Sequence, residues 1–145
     1  MDSKKSSRTK TSDDAQTCGT DETFATSKSS LLCSFRFAAS GIVDTAKNGR
    51  NFKIQLVAAV LALLISYILK ISCLEFAIII ICIGVVLSAE CLNTAIEKVV
   101  DLLSPNYSEL AKTAKDCSAG FVLILAVSAL FVGILIFGKS LLTII

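Results

Sequence analysis

Residues 74–103 read LEFAIIIICIGVVLSAECLNTAIEKVVDLL. The stretch is apolar from Phe76 to Ala89 and continues without a break into a polar stripe of Glu90, Asn93, Glu97 and Asp101. Steps of three, four and four put these four groups on one side of a helix. A bilayer-spanning helix needs roughly 20 residues, so the run is long enough to cross. Carboxylates at the foot of such a span are costly, because hydrocarbon holds no water to solvate them, and they are generally retained for work on a substrate or an ion. The stripe is where the chemistry is expected.

The rest of the composition agrees with a membrane protein. The chain has 145 residues, enough for one domain, and is 54% hydrophobic. Its mean hydropathy is +0.74. Formal net charge is +2, too small for the basic field that nucleic acid requires, and no nucleic-acid partner is expected. The absence of histidine excludes histidine general-base chemistry, Ser/His and Cys/His nucleophile pairs and the commonest zinc ligand. The six cysteines, Cys18, Cys33, Cys73, Cys82, Cys91 and Cys117, include no CxxC pair and read as reduced, structural thiols.

Working outward, two more apolar segments flank the first. One runs from about residue 54 to 71 and the other from about 119 to 137, giving three spans with the central one at 74–103. The first two are joined by a few residues around Ser72 and Cys73, which predicts a tight helical hairpin. The second and third are joined by a polar stretch from Ser104 to Asp116. Residues 31–47 carry Leu31, Leu32, Phe35, Ala38, Ala39, Ile42, Val43 and Ala46 at close to helical spacing. That segment is too short and polar to span; it fits an amphipathic helix on the membrane surface, or equally one packed on protein. Residues 1–30 are rich in Ser, Thr, Lys and Asp and read as a disordered, solvated tail. A transit peptide is the other reading of the tail, against which stand its acids Asp2, Asp13, Asp14, Asp21 and Glu22. The expected fold is therefore all-α, an integral membrane protein with three transmembrane helices and an N-terminal surface helix.

Basic residues set the orientation. Arg36, Lys47, Arg50 and Lys53 precede the first span, and the loop between spans two and three brings in Lys98, Lys112 and Lys115. The opposite side has only Lys70 at the hairpin and Lys139 near the end. The positive-inside rule then places the N-terminus and the second loop in the cytoplasm, in a multi-pass protein of the inner (plasma) membrane. Glu90, Asn93, Glu97, Asp101, Lys115 and Asp116 thereby gather on the side where ATP is available. Glu90, the deeper carboxylate, suits a base. Glu97, nearer water, suits a hard cation such as Mg²⁺, which takes one or two carboxylates plus substrate phosphates. Lys115 can neutralise phosphate oxygens. No GxGxxG occurs, and the one GxxxxGK[ST] string, Gly133 to Ser140, runs out of an apolar span and not from a strand into a helix, so a P-loop or protein-kinase fold is not expected. The plain structural alternative has Glu90 and Asn93 bonding between helices while Glu97, Lys98 and Asp101 solvate a helix end.

The run Glu90-Cys91-Leu92-Asn93-Thr94-Ala95-Ile96-Glu97, followed by Asp101, resembles the E-x-x-N-[ST]-A-I-E signature of the small bacterial integral-membrane lipid kinases, diacylglycerol kinase and undecaprenol kinase. Ala114-Lys115-Asp116, with Ala119 and Gly120 after it, resembles that family's A-K-D segment, and Asn51-Phe52-Lys53-Ile54 is a looser match. The resemblance covers residues 31 to 145. It implies an ATP-dependent lipid kinase with three spans and a surface helix, acting as a homotrimer with Mg²⁺ on diacylglycerol or undecaprenol. It implies Glu90 as catalytic base, Glu97 as metal ligand, and Asn93 and Asp101 as supporting groups. It also implies Lys115, Asp116 and the stretch Asn106, Tyr107 and Ser108 as nucleotide contacts; Tyr107 reads equally as an interfacial aromatic.

One position departs. Where the family carries a second metal-binding glutamate, three residues before Phe52, this chain has Gly49, which offers no side-chain oxygen. Asn48 and Asp44 are the nearest substitutes, and the glycine is expected to break the helix at that junction. The alternatives to a kinase are thus a degenerate member that binds nucleotide or lipid without turnover, and a small transporter or channel subunit with Glu90 and Glu97 lining an ion path.

Overall fold

The structure, a computed structural model, describes residues 27–144. The tail expected over 1–30 lies outside the described residues as far as residue 26. The chain divides into two units, residues 1–40 and 41–145. Among the described residues all regular structure is helical: α1 (Ser27–Asn48), α2 (Arg50–Ile68), α3 (Cys73–Leu103) and α4 (Glu109–Ile144). The three later helices are long and apolar enough to cross a membrane. At 1.5 Å per residue the 31 residues of α3 reach about 46 Å, well past a hydrocarbon core of about 30 Å, so its polar end projects beyond it.

Each boundary has a local cause. Gly49 is the N-cap of α2 in extended conformation, φ −79° and ψ 113°, with no side-chain cap, and it separates α1 from α2 as its sequence suggests. α2 ends at Ile68, three residues before the expected 71. There Lys70 takes a left-handed φ of 47°. Its N–H bonds the Tyr67 carbonyl and that of Ile71 bonds the Ser66 carbonyl, the paired bonds of a Schellman motif. α3 then opens on a capping box: Glu75 N–H donates to Ser72 Oγ at 3.3 Å and Ser72 N–H donates to Glu75 Oε2 at 2.9 Å. It closes before Pro105, which keeps Ser104 out of the helical region, at φ −130° and ψ 75°.

The third span is longer than expected: α4 begins at Glu109, ten residues before 119. Hydropathy finds only the apolar window, whereas Ser108 can start a helix by accepting from the Ala111 N–H, here at 3.5 Å. Lys115 and Asp116 therefore sit on a helix and not in a loop.

α3 is the central helix of the second unit. It packs most extensively on α4 and less on α2, while α2 and α4 barely touch. Buried apolar residues are few: Phe52, Ala59, Ile79, Ala89, Val122 and Ile136. Ile81, Leu123, Leu135 and many others stay exposed, a surface suited to lipid and not to water. The end remote from the polar stripe is closed by Lys139 Nζ donating to Glu75 Oε1 at 2.9 Å and Ser140 Oγ donating to the Leu69 carbonyl at 3.3 Å. Cys73, Cys82, Cys91 and Cys117 are free, as expected. Cys33 departs from that expectation: it is disulfide-bonded. It precedes the apolar spans, so hydrocarbon does not sequester its sulfur.

Candidate active site

The stripe on α3 is graded in depth. Glu90 and Asn93 are 4% and 5% exposed, Glu97 is half-buried, and Asp101 is exposed. Antiparallel packing brings the starts of α2 and α4 to this end of α3, and each supplies a partner. From α2, Gln55 Nε2 donates to Glu90 Oε2 at 3.2 Å. Within α3, Asn93 Nδ2 donates to Glu97 Oε1 at 3.0 Å, using the i, i+4 spacing. From α4, the buried Ser118 hydroxyl lies 2.6 Å from Asn93 Oδ1 and 2.9 Å from the Lys115 carbonyl oxygen. Lys115 Nζ donates to Asp101 Oδ1.

Glu90 and Glu97 are therefore housed differently. Glu90 is enclosed and steadied by one amide donor. Glu97 has one oxygen held by Asn93 and stands nearer water. Gln55 Oε1 is buried without a partner, a cost of about 1–3 kcal/mol for a desolvated acceptor. Gln55 also lines a groove of about 810 Å³ between α2, α3 and α4, whose other walls, among them Ala59, Ile79, Val86, Leu130 and Phe137, are almost wholly apolar.

Among the described residues no group of three or more His, Cys, Asp or Glu side chains is placed to hold a metal. Of the carboxylates on the stripe, Glu97 is the half-buried one near water, with one oxygen that Asn93 does not engage. That suits a cation whose shell is completed by nucleotide phosphates, the usual habit of Mg²⁺.

Neither substitute for the missing glutamate is free. Asp44 pairs with Lys98 Nζ and also accepts from Asn48 Nδ2 at 2.8 Å. The hydrogen bond from Lys98, with its charge, holds the Asp44 carboxyl below the usual carboxylate range. At Gly49 an added Cβ would lie 2.7 Å from the Thr45 carbonyl oxygen and 3.3 Å from Phe52 Cβ, so a side chain there requires the junction to shift.

Of the residues singled out in sequence, Glu90, Asn93, Glu97, Asp101 and Lys115 come together at one end of the bundle. Asp116 and Tyr107 are exposed, Asn106 contributes its backbone carbonyl to Ser104 Oγ at 3.1 Å, and Ser108 serves the start of α4. Gln55 and Ser118 escaped sequence reasoning as site residues. Gln55 leaves one trace, an amide at the head of an apolar run; Ser118, in a run of small residues, leaves none.

The comparisons with known proteins identify the family. The family model described as prokaryotic diacylglycerol kinase matches residues 36–137. The chain is 43% identical over 104 residues to the undecaprenol kinase of Bacillus subtilis (strain 168), an alignment that covers 72% of this chain and 85% of that one. It is 40% identical over 104 residues to a diacylglycerol kinase of Synechocystis sp., covering 71% of this chain and 59% of the relative. With the diacylglycerol kinase of Escherichia coli (strain K12) it shares 35% over 82 residues, 57% of this chain and 67% of that one. A family match over most of the described helices, together with a relative of this similarity, means that the chain belongs to the prokaryotic diacylglycerol kinase family.

Proposed function

We propose that this protein is an ATP-dependent lipid kinase that transfers the γ-phosphate to the hydroxyl of a membrane lipid, diacylglycerol or undecaprenol. The observation that carries this reading is the pair of differently housed carboxylates two turns apart on α3, the deeper of them bonded to Gln55, which also lines an apolar groove. Glu90 takes the proton from the lipid hydroxyl as the hydroxyl oxygen attacks the γ-phosphorus and the bond to the departing ADP breaks, and Gln55 keeps the carboxylate aimed. Glu97 would hold Mg²⁺, whose chemistry is to neutralise the phosphate oxygens. Lys115 exchanges Asp101 for phosphate, and Asp116 with Asn106, Tyr107 and Ser108 meets the nucleotide. Asn93 and Asp101 support these groups. In such a transfer the protein mostly positions reactants and stabilises charge. The groove favours an aliphatic acceptor, and the names of the relatives supply both candidates. The protein works in the inner membrane as a homotrimer, with its N-terminus and active site cytoplasmic; the wide exposed apolar surface of its helices supports embedding and packing between copies.

Gly49 favours a second reading, a degenerate member that keeps the fold and binds nucleotide or lipid without turnover. One experiment separates the two: transfer of the ATP γ-phosphate by purified protein in mixed micelles with Mg²⁺, offering undecaprenol and diacylglycerol side by side. Transfer to either lipid is expected and names the acceptor. No transfer to either, from folded protein beside a working family member, favours the degenerate reading.

A further inference from the structure

We propose that Ser118 is a positioning residue for the metal side of the site: its hydroxyl anchors the Asn93 amide from α4, and through it holds Glu97 ready for a divalent cation. The proposal rests on the reading above only in taking Glu97 as the cation's carboxylate.

An amide has a donor end and an acceptor end of nearly the same shape, so turning it over exchanges one for the other. Asn93 sits between two unlike neighbours. Glu97 only accepts when ionised, and it receives Asn93 Nδ2 at 3.0 Å. The Ser118 hydroxyl, which can donate or accept, lies 2.6 Å from Asn93 Oδ1. Turned over, Asn93 would set its carbonyl oxygen against the carboxylate, so Glu97 sets which way the amide faces. Glu97 alone does not hold the amide in place, because its half-buried side chain can swing toward water. Asn93 and Ser118 are both buried, so their contact endures. The same hydroxyl is 2.9 Å from the carbonyl of Lys115, one turn earlier, which shares its single proton and ties it to the α4 backbone. One small side chain thus links the cation's carboxylate, through Asn93, to the α4 backbone at Lys115.

The test uses full-length protein in detergent micelles with a non-hydrolysable ATP analogue, titrated with Mn²⁺ and read by the loss of free Mn²⁺ signal in electron paramagnetic resonance. Ser118→Ala should raise the half-saturating Mn²⁺ roughly three- to tenfold, the size of one lost hydrogen bond. Ser118→Thr, which keeps the hydroxyl, should restore wild-type binding. In an Asn93→Ala background, Ser118→Ala should add nothing, because the serine acts through the asparagine. Should Ser118→Ala fail to fold, Ser118→Cys keeps the volume with a poor donor and is expected to behave likewise. An unchanged half-saturation in the folded variant, or an equal loss with and without Asn93, would overturn the proposal. The kinase reading is judged separately: binding that follows this cycle in a protein without phosphoryl transfer would sink that reading and sustain this one.

Discussion

Glu90 and Glu97 share a helix, a face and a chemistry, so what separates their roles is the company each keeps. Glu90 has Gln55 and burial; Glu97 has Asn93 and access to water. Glu90→Gln keeps the shape and the bond-forming capacity but cannot take a proton. It should abolish transfer, a loss of at least about 10²-fold for a missing base, while ATP binding and oligomeric state persist. Retained turnover in that variant would remove Glu90 from its role. Glu97→Gln should instead move the Mg²⁺ titration to higher concentrations, and an unchanged titration would contradict the ligand assignment. Gly49 needs a two-variant comparison, because a glutamate there adds both a Cβ against Thr45 and a carboxylate. Gly49→Ala carries only the steric part and should lower thermal stability by roughly 1–3 kcal/mol, the range for overpacking. If the missing carboxylate limits the enzyme, Gly49→Glu should exceed Gly49→Ala in activity at equal stability; equal activities would mean that the chain does without it.

The ends of the helices carry the next set of consequences. Lys70 completes the Schellman turn after α2 in a left-handed conformation that L side chains avoid. Lys70→Gly should therefore stabilise the hairpin by about 1 kcal/mol, seen as a higher unfolding temperature in micelles. At the other end, Asp44 on α1 is held to α3 by Lys98. Its carboxyl is depressed, chiefly by the Lys98 hydrogen bond, so the pair's contribution is complete above the unfolded carboxylate pKa of about 3.9 and disappears as pH falls through the folded value. Both groups face water, so near neutrality salt should weaken the pair and pH should not. Protease protection of α1, measured for wild type and Asp44→Asn, should differ at pH 7 in low salt and converge in acid or high salt. These features also mark where sequence reading stopped. The spans and the three-four-four stripe were legible because hydropathy and helical spacing lie along one chain segment. The Lys70 turn was missed because the residue that usually takes that conformation is glycine. The ten extra residues of α4 were missed because they are polar and begin on a serine cap. Gln55 and Ser118 are joined to the stripe only by helix packing, across sequence separations of 35 and 25 residues that no local pattern reveals.

Taken as one molecule, the protein has a reactive end and a closed end. The starts of α2 and α4 and the polar end of α3 meet at the first; the α2–α3 turn and the end of α4 meet at the second, tied by Glu75 with Lys139 and by Leu69 with Ser140. Such a body can use cytosolic ATP in only one of its two orientations. The lysines and arginines before α2 and after Glu97 favour the reactive end inside. Two positions, one at each end, report on this by labelling and not by activity. Cys73 is an exposed thiol beside the α2–α3 turn, and Tyr107 is exposed on the turn between α3 and α4. In a chain whose other cysteines are serine, Cys73 should react with a membrane-impermeant maleimide on spheroplasts. With Cys73 also replaced, Tyr107→Cys should react only after the membrane is permeabilised. Labelling of Tyr107→Cys from outside, with Cys73 protected, would put Glu90 and Lys115 on the side without ATP, and the kinase reading would fail with the orientation.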